Sequence, residues 1–154
     1  MKLAIDGSGA VARWVAARLP HVGAAGFGPN AAIAVVSQDE TIMAGVVFHD
    51  WQELAGTMQL SCAADTPRWA TRRIVSALLA YPFVQLAVNK CWTATDHANA
   101  RALRFIKGIG FKQEAILRHQ FGGKHHAVIC SMMRGEFHRR YCDGQEIALP
   151  ARAA

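Results

Sequence analysis

Asn99-Ala100-Arg101-Ala102-Leu103-Arg104-Phe105-Ile106-Lys107-Gly108-Ile109-Gly110-Phe111, followed by Lys112-Gln113-Glu114-Ala115, is the stretch on which the fold of this chain turns. Ala98, Ala102, Phe105, Ile106 and Ile109 recur at three- and four-residue steps and share one apolar helix face. Asp96 stands before the pattern as an N-cap residue, since its carboxylate can accept from the first free backbone N–H groups. Gly110 ends the helix and Phe111 starts an extended segment.

Toward the C-terminus, segments 113–119 and 126–133 flank Gly122-Gly123, which predicts a closing hairpin. Toward the N-terminus, 85–93 reads as a strand, and 69–83 as a helix with Trp69, Ile74, Ala77, Leu78 and Tyr81 on one stripe and Pro82 at its end. Before that helix, 31–36, 42–48 and 57–63 are apolar runs separated by polar turns, the pattern of an antiparallel meander. The chain opens with a short apolar run, 1–5, then Gly7-Ser8-Gly9, then a helical pattern through Val11, Trp14, Val15 and Leu19 that Pro20 ends. The glycines with Ala12 have the outline of a dinucleotide turn, but no acid follows about twenty residues on, so a plain strand-to-helix turn is the preferred reading.

The 154 residues fit one compact domain, 1–154, and 52% hydrophobic against 18% charged residues supply a sizeable core, which excludes a disordered chain. No segment approaches twenty uninterrupted apolar residues, and the opening run is too short for a secretory leader, so a cytoplasmic protein without a membrane span is expected. Cys62, Cys91, Cys130 and Cys142 form no close pair and read as reduced, structural thiols. His119, His125, His126 and His138 with Cys130 and Cys142 match no zinc spacing, so no metal is expected.

The formal charge of +6 is unevenly placed: residues 101–140 hold nine Lys or Arg against Glu114 and Glu136, a balance of +7. That suits an anionic ligand, an acidic partner or nucleic acid, or simply a solvated basic face. A second cluster, Arg68, Arg72 and Arg73, crowds the start of a helix, where each cation opposes the helix dipole by roughly 0.3–1 kcal/mol. An anion docked there would reverse that cost; otherwise the arginines splay into water or pair with Asp65.

The Asn99 to Phe111 run, with the strand before it, the Gly123 hairpin and a last strand ending at Arg134-Gly135-Glu136, resembles the signature of the GNAT acetyltransferases over residues 31–137. It looks closest to the branch containing ribosomal-protein N-acetyltransferases, in which an aromatic such as Tyr81 or Phe83 closes the first cofactor helix. The resemblance implies an α/β (mixed α+β) fold with a mostly antiparallel twisted sheet of about six to seven strands, splayed at the cofactor site and flanked by about three to four helices. It implies an N-acetyltransferase, monomer or homodimer, that moves acetyl from acetyl-CoA to an unidentified primary amine by direct attack in a ternary complex.

In such a protein the pantetheine arm lies along 58–64, against Cys62, Ala63 and Ala64, and the pyrophosphate sits at Arg68, Trp69, Thr71, Arg72 and Arg73. Asn99 either bonds the arm or caps its helix, Ala102 flanks the arm, and Phe105 flanks it or fills the core. Two departures stand out. The family's glycine-rich phosphate loop is replaced by Pro67-Arg68-Trp69-Ala70-Thr71-Arg72-Arg73, so arginine side chains would take over the phosphate contacts, and the tyrosine acid expected four residues before Gly110 is Ile106. Ser61 and Cys62 are the catalytic candidates on the bordering strand, with Asp50 or Glu53 before it; Cys62 as a nucleophile lacks a positioned histidine. The rival reading keeps the fold, with weak or no catalysis, and has the 101–140 region bind nucleic acid or a ribosomal or other macromolecular partner.

Overall fold

The computed structural model describes residues 1–143. The apolar runs pair as the meander predicts: β1 (Lys2–Asp6), β2 (Asn30–Val36), β3 (Ile42–Gln52) and β4 (Thr57–Ala64) are antiparallel neighbours. A second antiparallel group, β5 (Lys90–Asp96), β7 (Ala127–Met133) and β6 (Lys112–Leu117), joins the first through a parallel β4–β5 contact, giving one seven-stranded sheet in the order β1-β2-β3-β4-β5-β7-β6. With α1 (Ala10–Ala16), α2 (Arg72–Ala80), α3 (Ala100–Gly108) and the short α4 (Arg134–Phe137), the expected mixed α/β class holds.

Strand alternation sends side chains to two covered faces. Val46, Phe48, Met58 and Leu60 meet Trp69, Val75, Leu78 and Leu79, with Leu103, Phe105 and Ile106 of α3 packed against the same core. Val47, Ala32 and Ala34 meet Val11, Ala12 and Val15 of α1 on the opposite face. The helices α2 and α3 therefore share one side of the sheet and α1 takes the other. Gly45 permits the α1 contact, since a Cβ there would stand 2.6 Å from Val15 Cγ2.

Several boundaries differ from expectation for local reasons. Asp96 is the last residue of β5, paired with Ala127, and its Oδ1 accepts from Ala98 N at 2.9 Å; the N-cap of α3 is Asn99, whose Oδ1 accepts from Ala102 N at 3.1 Å. Thr71 caps α2 in the same way, through Ile74 N. A π-helical turn, Tyr81–Gln85, follows α2, so β5 starts at Lys90 rather than at 85. The strand β3 runs on to Gln52, and α1 stops at Ala16, before Pro20. The Gly7-Ser8-Gly9 turn is a strand-to-helix turn: the Asp6 carboxylate accepts from Ser8 N at 2.8 Å and Val11 N at 2.7 Å, filling the place an anion would take at the start of α1.

Candidate active site

The strands β4 and β5 pair over three positions, Thr57 with Lys90, Met58 with Cys91 and Gln59 with Trp92, and then part. Beyond that point β4 stays registered with β3 as far as Ala64, opposite Ala44, while β5 follows β7 from Trp92 opposite Ser131 to Asp96 opposite Ala127. Each strand is drawn to its antiparallel partner, and sheet twist turns the two groups away from each other. The edge of β4 past Gln59 is left without a strand for five residues, roughly 16 Å at about 3.3 Å per residue. Its exposed N–H and C=O groups are a template for an extended, amide-bearing ligand. Ser61, Cys62, Ala63 and Ala64 line it with small side chains, which leaves the gap open.

The turn leading to α2 closes one end of the gap. It has no glycine and needs none: Pro67–Trp69 form a 3-10 turn, Thr66 accepts from Arg68 N at 3.3 Å, and Thr71 N donates to Trp69 O at 2.9 Å. Trp69 is only 5% exposed and packs on Phe105 at 5.4 Å, so both rings serve the core and fasten the start of α2 to α3. Asp65 is not a partner of the arginine cluster, because Arg18 holds it in a two-point ion pair at 2.8 and 2.9 Å. Arg72 donates to the Arg140 carbonyl and lies 5.1 Å from the Tyr141 ring, turned toward the C-terminal turn. Arg68 and Arg73 are exposed and, among the described residues, no carboxylate engages them. Asn99 is exposed at the tip of α3; its carbonyl oxygen caps the helix, and its NH2 group takes no partner among the described residues.

Of the candidate catalytic residues, Cys62 is reached by solvent, yet the surrounding protein desolvates the thiolate and pushes the thiol up to about 12, so it stays protonated at neutral pH. Ser61 has a partner that sequence reading missed: its Oγ lies 2.9 Å from His49 Nε2, across the β3–β4 ladder. His49 is half-buried, its ring 4.9 Å from that of Phe27 and tilted against it by 50°, and desolvation lowers its pKa despite the field of Asp50. The signal for this pair is alternation: His49 and Ser61 fall on the face of Val47, opposite the face bearing α2. Asp50 holds Gln52 Nε2 at 2.8 Å on the outer end of β3. Ile106, in the place of the expected tyrosine, packs against the core.

On the same face as His49 and Ser61, beside the point where the strands part, Thr57, Lys90, Trp92, Glu114, Leu117 and Ile129 line a hollow of about 380 Å³. Lys90 and Glu114 neutralise each other there at 2.6 Å. The basic 101–140 segment is dispersed over α3, β6, the hairpin and the C-terminal turns: Lys112 pairs with Glu136 at 2.6 Å, and Arg134 and Arg140 bond the carbonyls of Ala87 and Gly108. His97, His125 and His126 gather at the end of β5, with His125 Nδ1 2.7 Å from Asp96 Oδ2 and His97 Nδ1 accepting from His126 N. Among the described residues, no three His, Cys, Asp or Glu side chains are grouped to hold a metal ion. No described helix is long and apolar enough to cross a membrane.

Solved structures share this fold. A chimera of the Vibrio cholerae spermidine N-acetyltransferase and hSSAT matches 89% of this chain and 99% of its own with a TM-score of 0.73 at 11% identity. The V. cholerae spermidine N-acetyltransferase in complex with CoA and spermine matches 71% of this chain and 69% of its own, TM-score 0.62 at 14% identity. The fold is the GNAT fold. A dodecameric form of the same V. cholerae enzyme matches equally well, with TM-score 0.62 at 14% identity over 71% of this chain and 68% of its own. At these identities the GNAT likeness is one of fold, and the neighbours are polyamine enzymes, not the ribosomal-protein branch expected from the sequence. No family model matches the sequence, and no curated protein does.

Proposed function

We propose that this GNAT-fold chain is an N-acetyltransferase that uses acetyl-CoA. The observation that carries the reading is the early parting of β4 from β5, which leaves five residues of strand edge unpaired beside two helix tips. Pantetheine is an extended arm with two amides and fits such an edge as an added strand. Cys62, Ala63 and Ala64 are its floor, Ala102 and the Asn99 NH2 group meet it from α3, and the pyrophosphate rests at Thr71, Arg68 and Arg73 at the start of α2. In this arrangement Trp69, Phe105 and Arg72 hold the site together from behind. Acetyl-CoA supplies the activated acyl group; the chain orients it and keeps its reacting end at the point where the strands part.

The acceptor is a primary amine entering from the opposite face. The V. cholerae neighbour binds spermine, a polycation. Among the described residues lining the hollow beside Trp92, the carboxylate is Glu114, already paired with Lys90, which leaves a polycation no free acid there. Its Trp92, Leu117 and Ile129 lining favours an amine on an apolar body. Titration calorimetry with acetyl-CoA tests the donor site, and thiol release with phenethylamine-like monoamines against spermidine tests the acceptor. Absence of heat at millimolar acetyl-CoA overturns the reading; preference for spermidine overturns only the acceptor class.

A further inference from the structure

His49 and Ser61 form the first polar pair on the acceptor side of the gap. Gln59 is the last residue of β4 paired to β5, and Ser61, two residues on, is the next side chain on the same face. The cofactor helices α2 and α3 lie on the opposite face, so a donor anchored at their tips presents its reacting end toward Ser61. Behind Ser61, His49 Nε2 stands at hydrogen-bond distance, 2.9 Å, held by β3 pairing and by the Phe27 ring. We infer that Ser61 contacts the attacking amine and that His49 positions Ser61 and receives, through its hydroxyl, the proton the amine gives up. This rests on the acetyltransferase reading above.

The step balances. As the amine nitrogen bonds the acyl carbon, its N–H proton passes to Ser61 Oγ, and the Ser61 hydroxyl proton passes to His49 Nε2. The C–S bond breaks with its electron pair on sulfur, and the imidazolium returns its proton to the departing thiolate or to water. Products are the amide and the free thiol. The surroundings suit a proton acceptor: β4 brings Gln59 and Ser61, β2 brings Asn30, the preceding loop brings Phe27, and Asp50 on β3 is the charged group whose field reaches the ring. Desolvation lowers the pKa of the imidazole, which is therefore neutral at neutral pH, and with its proton on Nδ1 the Nε2 lone pair accepts from the Ser61 hydroxyl.

The test combines a pH profile of kcat/KM with an NMR titration of the His49 ring in wild type, His49→Gln and Ser61→Ala. Expected are an acidic limb below about pH 6.5 in wild type, its loss in both variants, a fall in kcat of about 100-fold with KM for acetyl-CoA unchanged, and a shift of the His49 resonance when CoA is added. A His49→Gln protein that keeps the limb and stays within threefold of the wild-type kcat overturns this inference alone. Wild type that neither binds acetyl-CoA nor releases thiol overturns the transferase reading and this inference with it. Should the variants not fold, wild type decides: an acidic limb that tracks the NMR pKa of His49 supports the inference, and a profile without one ends it.

Discussion

At the scale of single residues, the site depends on side chains with two duties. Asn99 caps α3 with its carbonyl oxygen, and in the proposed complex its NH2 group meets the pantetheine arm. Asn99→Ala loses both and should cost about 1 kcal/mol of stability as well as acetyl-CoA affinity, whereas Asn99→Asp keeps the cap and loses only the donor. Urea unfolding and calorimetry on the two variants separate the roles. Gly45 shows the opposite case, a residue defined by what it lacks. Its added Cβ in Gly45→Ala would meet Val15 Cγ2 at 2.6 Å and Val11 Cγ1 at 3.1 Å, so α1 must lift from β3 at a cost of about 1–3 kcal/mol, read as a lower urea midpoint. The lone Gly in an apolar run hints at such a contact, but nothing local says which helix fills the space.

At the scale of elements, the turn into α2 divides three arginines that look alike in sequence. Arg72 is committed to the Arg140 carbonyl and the Tyr141 ring, while Arg68 and Arg73 stay exposed at the tip. Arg73→Ala should weaken acetyl-CoA binding by about tenfold in calorimetry, the size of one charge-assisted hydrogen bond, with little change in thermal stability. Arg72→Ala should do the reverse, lowering the melting temperature more than the affinity. The cation excess at this tip was visible in the sequence and pointed to an anion; the assignment of each arginine required the C-terminal turn packed against α2, a contact between residues 68 positions apart.

At the scale of the whole molecule, stability should climb between about pH 5 and pH 7. His21 and His49 are both held below the usual histidine pKa by desolvation, so the unfolded chain binds more protons in that window and folding stability is lost as pH falls through it. A second loss should follow below about pH 4.5. Lys90 holds Glu114 down; Lys112 and the Met133 N–H hold Glu136 down; and at Asp6 the bonds from Ser8 and Val11 outweigh burial. These carboxylates stabilise the fold while ionised and stop doing so as pH drops through their lowered values. Melting temperatures across pH 3 to 8 check both steps. The antiparallel meander, the amphipathic helix with its glycine stop and the closing hairpin were legible in the chain, because periodicity and turn chemistry act over a few neighbouring residues; the cap at Asn99 rather than Asp96, and the turn of Arg134–Phe137 into a helix, were not. The point where β4 leaves β5, the burial of Trp69 against Phe105 and the meeting of His49 with Ser61 were decided only by tertiary structure. Strand register and cross-strand neighbours depend on hydrogen bonds and packing between segments distant along the chain, and the two-residue period of a strand carries no record of which partner it will choose or where it will let go.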